Sequence, residues 1–328
     1  MRFDITCRVA LVIGDYRSNK IVLPHAGLCP HNLLLLRRAA AGITAFVRRA
    51  EFFSSLLLAM IFREWGRIVR MYERAMEEII GSAPTLDRLE QLQSDPTLSQ
   101  RANEVALRVI RSVAKANGQS WRRAAAKSRR ARTIYQVLQS ELSDSDIQRE
   151  LHSLLSRNAQ LIRSLPAELS QWATAYIARQ QQRGRRAQAI EQELAVKLPE
   201  LTASRLRLIA RTEVSKAETA ITRVRSERIG AHWYQWTTSK DRRVRPSHRN
   251  LDAVVVAWND PPAPEELIGE KSSLGHYHAG EAPNCRCLCL PVISLDEIRW
   301  PARCYLNGVI RRLSRAEFVN AFGIPLAA

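Results

Sequence analysis

No run in this sequence is long enough to span a bilayer. The most hydrophobic stretch, FFSSLLLAMIF from Phe52 to Phe62, is eleven residues between charged flanks, against the roughly 20 that a spanning helix needs. The start, MRFDITCRVALVIGDY, has one early Arg and a short apolar run that ends at Asp15, without a cleavage site, so no secretory signal is expected. The six cysteines are too few and too clustered near one end of 328 residues for a secreted disulfide framework. Neither a His-Glu-x-x-His run nor a His-x-Glu with Pro-Cys-x-x-Cys is present, which removes the common hydrolytic and deaminating zinc signatures. Acids are scarce, 32 against 50 Lys and Arg. The resulting charge of +18 excludes no fold but favours polyanionic surroundings. A soluble protein of a reducing compartment, without a membrane partner, is the expectation.

What is present reads as a folded α+β chain, a mainly helical body followed by a small antiparallel β module near the C-terminus. Hydrophobic residues make up 46% and charged residues 25%, an ordinary globular balance. Residues 1–32 form an arm with a Cys29-x-His31 pair to which no role is assigned. Residues 33–142 are helical and basic: apolar residues recur at three- and four-residue steps up to Ile80, the helical period. Between Arg101 and Tyr135 lie ten Lys or Arg and one acid, Glu104. Arg122, Arg123, Lys127, Arg129 and Arg130 are the candidate contacts to nucleic acid, where each neutralised phosphate adds salt-dependent affinity. The competing reading is a solvated basic helix face.

Residues 143–293 form the next region. The Ser143–Asp146 stretch caps a helix that Pro166 should interrupt; further helices are expected over 167–182 and 187–198, then a long one from about Thr202. In the last, Leu206, Ala210, Val214, Ala217, Ile221 and Val224 line one face. Arg211 and Glu213 sit beside that stripe, and an ion pair from here to the sheet module is expected. After Gly230 the period changes to alternation, with strands over His232–Trp236, Ala253–Trp258 and Cys285–Ile293. The tail, 294–328, is expected to be helical, with Cys304 a buried thiol.

The stretch from Trp236 to Pro291 concentrates ligand chemistry: Cys285, Cys287 and Cys289 at alternate positions, with His248, His276 and His278. On a strand those cysteines share a face, and the i, i+2 geometry is poor for a disulfide. A metal suits them better, since zinc takes four N or S donors in a tetrahedron. The candidate ligands are His248, Cys285 and Cys287, with Cys289, His276, His278 or Asp241 as the fourth. Zinc in a structural role would tether the Pro- and Gly-rich loop 259–284. The alternative is that the thiols are small buried apolar residues.

Three motifs in this order carry a family resemblance. IARTE (Ile209 to Glu213, with Arg211 and Thr212), the run Trp236, Asp241, Arg243, Arg245, His248, Leu251, Asp252, and the G-E-x-x-N-C-R-C run with Asn284 and Arg286 together resemble the phage Mu protein F-like minor head proteins, a head morphogenesis family. The resemblance runs from about Arg157 to Pro291. It implies that Arg245 and His248 stand where relatives can carry a Cys-x-x-Cys, and that Ala253 stands where a Gly is usual. It further implies a minor capsid component that acts in procapsid assembly with the portal and other capsid or scaffold proteins, inside the procapsid or virion and in the host cytoplasm during assembly. Contact with packaged DNA fits the surplus positive charge. The chain is thus expected not to be an enzyme. The competing readings are a metal-dependent hydrolase or nuclease centred on His248, Asp241, Cys285 and Cys287, and a non-specific DNA-binding protein.

Overall fold

A computed structural model describes residues 57–126, 131–141 and 143–322. Expectations for the arm 1–32, for the stretch up to residue 56 and for Lys127, Arg129 and Arg130 lie outside these. The chain divides into two compact units, Met1–Met60 and Ile61–Ala328. The described part of the first is residues 57–60, which are helical.

Helices build the body. Residues 57–80 are helical, and from Ile61 onward they are called α1. Then come α2 (Leu86–Gln93), α3 (Leu98–Ala125), α4 (Ala131–Ser140), α5 (Ser145–Gln182) and α6 (Ala187–Arg228). Each buries a stripe at helical spacing. Ile68, Tyr72, Ala75, Met76 and Ile79 from α1 meet Ala102, Val105, Val109 and Val113 from α3, Leu154, Ile162, Leu165 and Leu169 from α5, and Leu206, Ala210, Val214, Ala217 and Ile221 from α6 in one core. Two buried polar side chains in this core are paired: the Tyr72 hydroxyl donates to Asn158 Oδ1 at 2.9 Å, and Asn158 Nδ2 donates to Leu154 O at 2.8 Å.

Two expected helix breaks do not occur. Pro166 lies inside α5 and Pro199 inside α6. A proline within a helix costs about 3 kcal/mol through its missing N–H and the crowded carbonyl one turn back. Around Pro166, however, Leu154, Ile162, Leu165 and Leu169 are all at most 1% exposed. Burial worth roughly 1.5–3 kcal/mol per such side chain outweighs the defect. The expected cap of α5 is present: Asp144 accepts from the N–H groups of Asp146 and Ile147.

After α6 the chain forms β1 (Trp233–Thr237), the short α7 (Pro246–Asn250), β2 (Val255–Ala257), β3 (Leu288–Pro291), β4 (Ala302–Leu306), β5 (Val309–Leu313) and α8 (Arg315–Ala321). The sheet order is β3-β1-β2-β4-β5. Two corrections follow. The sheet is mixed, because β4 lies parallel to β2, with Val255 opposite Cys304. The tail, expected to be helical, supplies a hairpin and one helix. Asn307 and Gly308, at φ 48 and 83, make the two-residue turn whose twist matches a hairpin, and Ser314 closes a capping box on α8.

Alternation gives the sheet two covered faces. Tyr234, Trp236 and Val256 point into a core shared with Leu251, Tyr277, Cys285, Cys287 and Cys289. Trp233 points the other way and packs on Phe318 and Phe322 of the tail, with Val255 and Cys304. The expected strand face of Tyr234 and Trp236 is therefore the inward one, and both side chains are 0% exposed.

Candidate metal centre

His248 sits on α7, whose start Pro246 preorganises at the first helical position. Cys285 and Cys287 lie in the irregular segment before β3, which starts at Leu288 and not, as expected, at Cys285. The fold brings the three together. Their donor atoms lie within 4.8 Å of one another, all buried. His248 Nδ1 is 3.4 Å from Cys285 Sγ and 3.5 Å from Cys287 Sγ. With zinc–sulfur bonds of about 2.3 Å and zinc–nitrogen bonds of about 2.05 Å, a tetrahedral N···S edge is about 3.6 Å, close to both distances. This group could hold a metal ion.

The surroundings suit that use. His248 Nε2 meets the Tyr277 hydroxyl at 2.9 Å, and that hydroxyl donates to Glu265 at 2.8 Å. Burial raises the Tyr277 pKa, so its proton stays in place to donate. The chain Glu265–Tyr277–His248 therefore assigns the His proton to Nε2 and turns the Nδ1 lone pair toward the sulfurs, the arrangement in which ligand histidines are commonly held. The Cys285 thiol is held well below its ordinary value by the hydrogen bond with Cys287, and next by His248. The same shared proton, with burial, pushes Cys287 up. Trp236 Nε1 is buried and has no hydrogen-bond partner among the described residues; the indole N–H pulls the Cys287 pKa down, so a thiolate there would give it an acceptor.

The other proposed ligands are placed elsewhere. Cys289 Sγ faces Ala279 O at 3.5 Å, and burial pushes its thiol up. His278 Nδ1 contacts the Tyr234 hydroxyl at 3.2 Å; His276 is exposed and contacts Pro261 O at 2.8 Å. Asp241 is gripped by Arg286, with Arg286 Nη2 donating to Asp241 Oδ1 at 2.8 Å and Arg286 Nη1 paired to Oδ2. That guanidinium holds the Asp241 carboxyl well below the usual range. Among the described residues the group has three donors, and none of these four supplies another. Arg245, where the resemblance puts a thiol, donates from Nη2 to Pro283 O at 2.8 Å and so joins the two ligand-bearing segments by a hydrogen bond.

The remaining motif residues explain the loop. Glu213 is 5% exposed and pairs with Arg157 of α5 at 2.9 Å and Lys216 at 3.4 Å. The expected pair to the sheet module is thus a pair to a neighbouring helix, because α5, not the sheet, lies against that side of α6. Arg211 makes no ion pair among the described residues. Arg243 is exposed, and its backbone N–H donates to Asp241 Oδ1 at 2.9 Å. Asn284 has φ 57, a conformation Asn tolerates better than most residues, and its N–H donates to Thr212 Oγ1 at 3.1 Å. Ser215 Oγ donates to Cys285 O at 2.9 Å, and Thr219 Oγ1 donates to Ala279 O at 2.6 Å.

Thr212, Ser215 and Thr219 thus form a row of hydroxyls on one face of α6 that holds the ligand loop by its backbone. Sequence reading passed over this row, although the spacing of three and four was visible. It also passed over Tyr277, Glu265 and Trp236. Of the proposed nucleic-acid contacts, Arg122 and Arg123 are exposed in the last turn of α3, while Trp121 between the basic residues is 5% exposed and belongs to a core.

Residues 174–290 match the family model described as Phage Mu protein F like protein. This segment belongs to that family. All three donors and the hydroxyl row fall within it. An uncharacterized protein of Haemophilus influenzae is 30% identical over 155 residues, which cover 46% of this chain and 31% of the relative. The chain thus spans about a third of the curated relative it matches. No solved structure matches. No helix among the described residues is long and apolar enough to cross a membrane.

Proposed function

We propose that the chain is a minor capsid component that acts in phage head assembly, with a β module held in shape by zinc at His248, Cys285 and Cys287. The observation that carries this reading is the meeting of two motifs 37 residues apart, one on α7 and one before β3, in a buried N/S/S donor set. Bound zinc supplies a crosslink between those segments. His248 presents Nδ1 under the control of Tyr277 and Glu265; Cys285 and Cys287 present the thiolates; Trp236 faces Cys287.

The role is structural, not catalytic. Three carboxylates near the donors are already engaged: Asp241 by Arg286, Glu281 by the His278 N–H at 2.6 Å, and Glu265 by the hydroxyls of Tyr277 and Ser247. The partners are other capsid proteins and the portal, and the place of action is the procapsid interior, reached from the host cytoplasm. With a surplus of 18 positive charges, the basic stretch containing Arg122 and Arg123 contacts packaged DNA without reading sequence.

Two experiments test this. Metal analysis of the purified protein is expected to find one zinc per chain, lost in a Cys285→Ser, Cys287→Ser variant; metal-free parent protein refutes the zinc centre. Deletion of the gene from its phage or prophage is expected to reduce assembled heads, with the protein found in purified wild-type heads. Normal head numbers without it refute the assembly role.

A further inference from the structure

The second edge of the sheet carries an inference that makes no use of the metal. Among the described residues β5 is paired on one side only, by β4. In a hairpin closed by a two-residue turn, Val309 and Leu306 form the first hydrogen-bonded pair, and such pairs then alternate. Ile310 and Arg312 therefore direct their backbone N–H and C=O groups outward, away from β4. An open edge of this kind is a template for another strand.

Beside it lies a cleft of about 820 Å³ between the hairpin and the segment 263–276. Leu267, Tyr305 and Ile310 contribute apolar lining, and Arg303, Arg311 and Arg312 contribute charge against a single acid, Glu266. Arg311 and Arg312 are exposed and enter no ion pair among the described residues. Among the described residues Arg303 donates only to the backbone and side-chain oxygens of Asn250 and meets no carboxylate. Val309 is 43% exposed.

We propose that this cleft receives an extended acidic segment of another protein, which adds as a strand to the free edge of β5 and sets its carboxylates against Arg303, Arg311 and Arg312. Main-chain pairing supplies affinity in this mode, and side chains on alternate positions supply selectivity. An apolar floor with a basic rim fits a strand that alternates apolar and acidic residues. A second copy is disfavoured, because antiparallel pairing of β5 with itself about its centre sets Arg311 against Arg311, and like charges directly opposite destabilise a sheet. A nucleic acid would satisfy the arginines but leave the outward Ile310 and Arg312 backbone groups without strand partners.

The test measures fluorescence anisotropy of a labelled peptide alternating valine and glutamate, titrated with the full-length protein. The peptide is expected to bind. A version with proline at alternate positions, equal in charge but unable to pair, is expected to bind at least about tenfold more weakly, because it cannot donate to the ladder. The Arg311→Glu, Arg312→Glu variant is expected to weaken the parent peptide by about tenfold or more, through two charge reversals. Both side chains are exposed, so the variant keeps its circular dichroism. Arg311→Gln, Arg312→Gln falls between. Equal binding of the proline peptide overturns strand addition. Tighter binding of a thymidine oligonucleotide, lost in the same variant, overturns the choice of partner in favour of nucleic acid. A dimer in sedimentation that the variant abolishes assigns the edge to a second copy and likewise overturns the proposal.

Discussion

Gly280→Ala tests how tightly the ligand loop is clamped to α6. Gly280 has φ 93, and a Cβ built on it would sit 2.5 Å from Thr219 Oγ1, 3.2 Å from Ser215 O and 3.3 Å from Cys287 O. Three costs combine. A left-handed backbone costs an L-residue about 1–2 kcal/mol. Excess volume in a packed site adds about 1–3 kcal/mol. If Thr219 turns away to make room, its 2.6 Å bond to Ala279 O is lost, about 1 kcal/mol more. The expected loss is about 3–6 kcal/mol, read as a fall in the urea midpoint at unchanged slope; that is a large part of a typical domain stability of about 5–15 kcal/mol. The mechanism is separated from a general glycine effect by a double-mutant cycle. Thr219→Ala alone should cost about 1–2 kcal/mol by leaving Ala279 O unpaired, but it also removes the atom that the new methyl strikes. The double variant should therefore be at least about 1 kcal/mol more stable than the sum predicts. A cost below about 1 kcal/mol for Gly280→Ala, or strict additivity, would refute the clamp.

Three further outcomes are expected. Ala253 has φ 62, a left-handed backbone that glycine adopts without strain; Ala253→Gly should stabilise by about 0.5–1 kcal/mol, the relief of the left-handed strain less the added freedom of the unfolded chain, and a lower melting temperature would contradict this. Arg157→Ala should cost more than Glu213→Gln in chemical denaturation, because it weakens the pairing of a carboxylate that is 6% exposed, whereas the arginine is 43% exposed and water can replace its partner; the reverse order would show that the pair is not holding a buried charge. Burial, with Arg223 nearby, lowers the His278 pKa to about 4 from an ordinary 6.5. Its folded value is depressed, so the stability it contributes is present above pH 6.5 and lost as pH falls toward 4, with a slope of up to about 1.4 kcal/mol per pH unit. His278→Asn should flatten the curve between those limits by about one proton; an unchanged slope would place the acid sensitivity elsewhere.

Much of this was readable from particular residues. The three-and-four spacing of Leu206, Ala210, Val214 and Ala217 announced a buried helix face, and the alternation of Tyr234 and Trp236 announced an inward strand face. Cys285, Cys287 and His248 stood out because thiol and imidazole side chains are rare and were concentrated. Where reading failed, a local signal met a larger tertiary term. Pro166 and Pro199 are strong breakers locally, yet the packing on either side continues the helix through them. The hairpin of β4 and β5 was missed although Asn307-Gly308 is a hairpin signal, because the apolar residues of the tail were read with the helical period.

The sequence by itself determined the elements with a strict period, the presence of a donor set and the family of its 174–290 segment, since these depend on residue identity and spacing along the chain. Tertiary structure decided which donors meet, that Asp241 belongs to Arg286, that Glu213 turns to Arg157, and that hydroxyls on α6 hold the loop. Those choices depend on distances between segments far apart in sequence, and such distances are set only when the helices and the sheet pack together.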